Sequence, residues 1–136
     1  MIFVDTSFWV AQANVRDRHH EQARALLAEH GDSGLVTSNH VRGETWTYLR
    51  RRAGHGQAVA FLDAIEQSPR VRVAVVSEEL EAQALRWLRR HDEREHSFVD
   101  ATSFALAKAL RIREVLAFDE DFSAAGLVEL RPAPGG

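Results

Sequence analysis

Five short apolar runs end at Val4, at Val36, near Val76, at Phe118 and at Leu130, and the stretches between them carry apolar residues at helical spacing. Strands that alternate with helices are joined by crossovers, and crossovers place helices on the faces of a parallel sheet. The expectation is an α/β protein of three layers, α/β/α, around a central, mainly parallel sheet. Helices are expected over roughly 18–30, 40–53, 55–67, 78–90 and 97–110. Gly31 and Gly34 bracket a loop before the second strand, Gly54 and Gly56 separate two helices, and Pro69 stops the second of them.

A chain of 136 residues fits one domain with a single core. The last residues, Arg-Pro-Ala-Pro-Gly-Gly, have nothing to pack, so the expected division is a folded domain over 1–131 and a disordered tail over 132–136. Without cysteine there is no disulfide framework and no thiolate metal site. The N-terminus has no basic leader, and no apolar run approaches the roughly 18 residues of a membrane span, so a soluble cytoplasmic protein is expected. A net charge of −3 supplies no global attraction for nucleic acid. The basic residues are nonetheless unusual: Lys108 is the single lysine among 17, and arginines cluster at Arg50, Arg51 and Arg52 and at Arg89 and Arg90. Arginine suits bidentate phosphate contacts, although an arginine-rich genome gives the same bias.

The acids fall at telling places. Asp5 closes the first strand, Ile2-Phe3-Val4, where an α/β sheet binds ligands beyond its carboxyl edge; it is also well placed to cap a helix starting at Thr6 or Ser7. Glu44 lies beside an apolar stripe through Val41, Thr45, Tyr48 and Leu49, where a solvated glutamate is not expected. Asp100 stands in the first turn of an almost wholly apolar helix, three residues after Ser97, the spacing of a capping box. Asp119 follows the run Glu114 to Phe118, with Glu120 and Asp121 after it; three successive acids also describe a solvated loop. Parallel strands put Asp5 and Asp119 on one edge. Four carboxylates gathered there would raise each other's pKa unless a cation joins them. Mg²⁺ or Mn²⁺ is the natural counterpart, and the chemistry implied is metal-assisted hydrolysis of a phosphodiester.

Other readings fail on named residues. His19 and His20 are adjacent, point about 100° apart on a helix and make a poor chelate, so surface positions are expected. A haloacid-dehalogenase-like phosphatase would want a second aspartate where Ser7 stands. A phospho-acceptor receiver domain would want a lysine at a strand end, and Lys108 lies within a helix.

Val4-Asp5-Thr6-Ser7, Glu44-Thr45-Trp46, Ser97-Phe98-Val99-Asp100-Ala101 and Phe118-Asp119-Glu120-Asp121-Phe122 together resemble the PIN-domain ribonucleases, most closely the VapC-type toxins of bacterial toxin–antitoxin pairs. The resemblance spans nearly the whole chain. It implies that Asp5, Glu44, Asp100 and Asp119 are the catalytic quartet. Asp5, Asp100 and Asp119 would be the metal ligands, Glu44 the residue that orients or deprotonates water, and Ser7 a supporting polar residue. It departs from the family at Ala117, where a Thr or Ser commonly stands, and Asp121 is an alternative to Asp119. Further implications are an endoribonuclease acting on single-stranded or looped RNA, a homodimer, a VapB-type antitoxin, and DNA contact only through that antitoxin. Arg50, Arg51, Arg52, Arg89 and Arg90 are the candidates for holding the RNA backbone. The alternative function is a PIN-like module that binds RNA or protein without cutting.

Overall fold

The computed structural model describes residues 1–134. β1 (Ile2–Val4) leads through α1 (Thr6–Ala13) and α2 (His20–His30) to a 3₁₀ turn at Gly31–Ser33 and β2 (Leu35–Ser38). Then follow α3 (Asn39–Arg52), α4 (His55–Gln67), β3 (Val71–Ala74), α5 (Glu78–Arg90), α6 (Phe98–Ala109), β4 (Glu114–Leu116), α7 (Asp121–Ala124) and β5 (Val128–Glu129). The strands form one sheet in the order β3-β2-β1-β4-β5, and every pair is parallel. The chain moves outward from β1 to β2 and β3, then returns to the other side of β1 for β4 and β5. The reversal lies between β1 and β4, the point where open α/β sheets leave a crevice beyond the strand ends.

The alternation of runs is thus realised as an all-parallel sheet flanked by helices. Two expected helices, 55–67 and 78–90, coincide with α4 and α5, and the other three agree to within two residues. The strand ends differ more. β2 runs on past Val36, β3 stops short of Val76, and β4 ends at Leu116 rather than Phe118. Pairing sets these limits: Val4 pairs with Leu116, and the Asp5 N–H donates to the Leu116 carbonyl (3.0 Å) as the chain turns into α1. Beyond that point β4 has no ladder to continue.

Two helices are absent from the expected set, the one-turn α7 and α1. α1 is buried at Thr6, Phe8, Trp9, Val10 and Ala11, so it carries no contrasting polar face to give it away. β1 and β2 are buried at every position, as strands covered on both faces should be. Thr37 is wholly buried in β2, and its hydroxyl is used twice: it donates to the Val4 carbonyl (2.8 Å) and accepts from the Trp9 indole N–H (3.2 Å). That bridge locks α1 onto β1 and β2 at the sheet's carboxyl edge. Gly54 separates α3 from α4 at φ 94°, a conformation glycine adopts without Cβ strain.

Tyr48 is a correction to the stripe on α3. It is 39% exposed, because Val41, Thr45 and Leu49 already fill the buried face, and the Arg52 guanidinium covers its ring at 5.1 Å. At the C-terminus Arg131 donates to the Ala117 carbonyl (2.7 Å) and lies over the Phe118 ring. Of the expected tail 132–136, residues 132–134 carry no helix or strand, and 135–136 lie outside the described residues. Among the described residues no helix is long and apolar enough to cross a membrane.

Candidate metal centre

Three carboxylates meet beyond the ends of β1 and β4. Asp5 leaves the last residue of β1, Asp119 comes from the loop after β4, and Asp100 enters from the first turn of α6; one oxygen of each lies within 4.8 Å of the others. Each is held by its own local logic. Asp5 is the N-cap of α1, as the sequence allowed, accepting from the Ser7 N–H (3.2 Å) and the Ser7 hydroxyl (2.9 Å). Ser7 Oγ in turn accepts from the Phe118 N–H (3.0 Å), tying the first strand end to the fourth. Asp100 makes the expected capping box: it accepts from the Ser97 N–H, and its own N–H donates to the Ser97 hydroxyl, both at 2.9 Å. Asp119 accepts from the Asp121 N–H (3.2 Å). Cap and site are therefore the same residues, because a carboxylate has two oxygens to offer.

The electrostatics are strained in one direction. Burial, then Asp119 and Asp100, holds the Asp5 carboxyl well above the ordinary range, and the hydrogen bonds from Ser7 recover only part of this. Asp119 is pushed up to about 6, by burial first and Asp121 second. Asp100 is raised chiefly by burial, against the pull of the Ser97 N–H. Among the described residues no Arg, Lys or His side chain makes a salt bridge to any of the three. Buried carboxylates without a cation are expensive, and hard oxygen donors this close together suit a divalent ion. The residues present fit such a group.

Glu44 projects from α3 into the same pocket of about 500 Å³, and its carboxyl is raised by burial, while the Thr6 hydroxyl works the other way. It lies outside the three-carboxylate set. Asp121 is not among the residues lining this pocket, yet with Asp100 and His96 it makes a second set whose ligand atoms lie within 4.8 Å of one another; Arg94 pairs with it (3.0 Å), and His96 Nδ1 is 3.5 Å away. Of the two alternatives for the fourth acid, the fold brings Asp119 to the pocket. Among the described residues the buried Nδ1 of His96 has no hydrogen-bond partner.

The arginines are placed less as expected. Arg50, Arg51 and Arg52 are exposed on the last turn of α3, Arg89 is exposed on α5, and Arg90 lines a different groove; none lines the acidic pocket. The basic residue that does is Arg18, from the α1–α2 connection. His19 lines the pocket too, its ring stacked on Phe118 at 4.5 Å, so it is not the free surface residue expected; His20 Nδ1 contacts the Ala11 carbonyl at 2.7 Å. The signal for this loop was present only in its turn residues. Asn14 and Asp17 accept from the backbone N–H groups two positions on, which folds the loop back over the strand ends.

The PIN domain family matches residues 2–127 of the chain. The 23S rRNA-specific endonuclease VapC20 of two Mycobacterium tuberculosis strains is 58% identical over 132 residues, which is 97% of this chain and 99% of the relative. The crystal structure of Mycobacterium tuberculosis VapC20, described as a sarcin-ricin loop cleaving toxin, matches with a TM-score of 0.92 at 56% identity, covering 97% of this chain and 100% of that one.

Proposed function

The chain belongs to the PIN domain family and is a ribonuclease of the VapC type, and from that premise we propose that it is a toxin that hydrolyses one phosphodiester bond of 23S ribosomal RNA, at the sarcin-ricin loop. The observation that carries the reading is the meeting of Asp5, Asp100 and Asp119 in one pocket, with no salt bridge to any of them among the described residues. Asp5, Asp100 and Asp119 hold Mg²⁺ or Mn²⁺. That ion, when bound, supplies charge stabilisation at the phosphoryl oxygens and a more acidic water. Glu44 orients the attacking water and accepts its proton, a role that its raised pKa suits. Ser7 fixes the Asp5 carboxylate through its hydroxyl and thereby its aim into the pocket. Arg18, at the pocket lining, meets the RNA phosphate that the acids alone would repel.

VapC toxins pair with VapB antitoxins and act on RNA. For this chain we extend that to a VapB-type antitoxin that occupies the pocket, a homodimer, DNA contact only through the antitoxin, and action in the cytoplasm. The non-catalytic alternative leaves three converging carboxylates, two buried and one half-buried, without a use. The purified protein is expected to cut a stem-loop RNA copying the sarcin-ricin loop when Mg²⁺ or Mn²⁺ is present. EDTA, Asp5→Asn or Asp100→Asn should reduce cleavage by at least about a hundredfold. Full activity of Asp5→Asn, or cleavage in EDTA, would refute the mechanism.

A further inference from the structure

A second groove, of about 970 Å³, runs between α5 and α6 and down to the turns that enter β4 and β5. Arg86 and Arg90 of α5, Lys108 of α6, and Arg111 and Arg113 of the following turn line it, and among the described residues no acid does. All five are exposed, and among the described residues none makes a salt bridge. Five unpaired cations around one concavity repel one another in a chain whose net charge is negative. The dipole of α5 favours Arg90 in its last turn, but it gives no reason for Arg86, Arg111 or Arg113.

Arg111 is the sharper clue. It occupies the position after the C-cap of α6, with its N–H donating to the Lys108 carbonyl (3.1 Å) and the Ile112 N–H to the Ala107 carbonyl (2.8 Å). This is the Schellman ending, where glycine is usual. Here an arginine sits at φ 57°, in the left-handed region that disfavours a residue with a Cβ. Residues held in this region cluster at functional sites, and among the described residues the other non-glycine one is Glu120 (φ 64°), next to Asp119 of the acidic pocket.

We propose that this groove binds the phosphate backbone of the RNA substrate, beyond the nucleotides that enter the acidic pocket. The inference rests on the ribonuclease reading of that pocket. One helix joins the two places: α6 carries Asp100 in its first turn and Lys108 in its last, about 12 Å apart along the axis. An RNA strand leaving the cleaved bond thus meets cations about two helical turns away. Polyanion contacts of this type set affinity and salt dependence and leave the chemical step alone.

The test uses full-length protein and a stem-loop RNA copying the sarcin-ricin loop. In an Asp5→Asn background, which removes cleavage from a binding measurement, Arg90→Gln/Lys108→Gln/Arg113→Gln is expected to weaken stem-loop binding at least roughly tenfold and to lower the salt slope by about three. In the active protein the same triple change should leave cleavage of an RNA of a few nucleotides unchanged, with an unchanged Tm. Arg111→Gly should raise Tm and weaken stem-loop binding, a pairing that a purely structural arginine would not give. Unchanged affinity and salt slope in the triple variant would overturn the proposal, as would a variant that loses an antitoxin-type protein partner and keeps RNA. A parent protein that cuts no RNA would refute the ribonuclease reading instead. Stem-loop binding by that parent, lost in the triple variant, would still support the groove, and no binding would overturn it.

Discussion

Asp5 does two things at once, and the two make different demands on its protonation. As a cap it accepts hydrogen bonds from Ser7; as a member of the acid set it sits beside Asp119 and Asp100, whose carboxyls disfavour its charge. The folded metal-free protein therefore binds protons that the unfolded chain has already released, since Asp119 titrates at about 6 against an ordinary value of 3.8 and Asp5 is raised as well. For such groups the stability contribution is complete below the unfolded pKa and is lost as pH rises through the folded one. In EDTA, the Tm of the parent relative to Asp5→Asn is expected to fall as pH goes from about 4 to about 7. A difference that is flat, or that grows with pH, would mean that these carboxyls do not crowd one another. Asp5, Asp100 and Asp119 were legible in the sequence because each sits at a strand end or a helix start, where local pattern fixes the position. Arg18 and His19 were not, because a loop's path over the strand ends depends on tertiary contacts such as the His19–Phe118 stack.

Helices show the same division between what pattern reveals and what it hides. α5, polar on one face and apolar on the other, is bounded by its periodicity. α1 is not, since Phe8, Trp9, Val10 and Ala11 bury it nearly all round. Its position depends on the Thr37 hydroxyl between the Trp9 indole and the Val4 carbonyl. Thr37→Val keeps the shape and removes both bonds, leaving a buried donor and acceptor unmet; a loss of about 1–3 kcal/mol in urea unfolding is expected. A neutral result would show that the bridge is incidental. On α6 the cap belongs to the site, so Ser97→Ala should cost about 1 kcal/mol, near 4 °C in Tm. It should also weaken divalent-ion binding, because Asp100 loses the partner that holds its N–H. Weaker ion binding without any fall in Tm would contradict the capping account.

The molecule as a whole ties stability to ion binding. A folded state that gathers three unneutralised carboxylates, and an unfolded chain that disperses them, makes a divalent ion a stabiliser by mass action, worth about 2.7 kcal/mol at a hundredfold excess over Kd. Mg²⁺ or Mn²⁺ should therefore raise Tm in the parent and have no effect on the Asp5→Asn protein; equal shifts in both would place the ion elsewhere. The sheet order also sets when the pocket can exist. β1 and β4 are neighbours in space, yet Ser7 and the Phe118 N–H it meets are 111 positions apart in the chain. During synthesis the first acid emerges early and waits for nearly the entire domain before its partners arrive. A nascent or truncated chain ending before α6 lacks both Asp100 and Asp119, so neither ion binding nor hydrolysis can begin until the last third of the domain has folded.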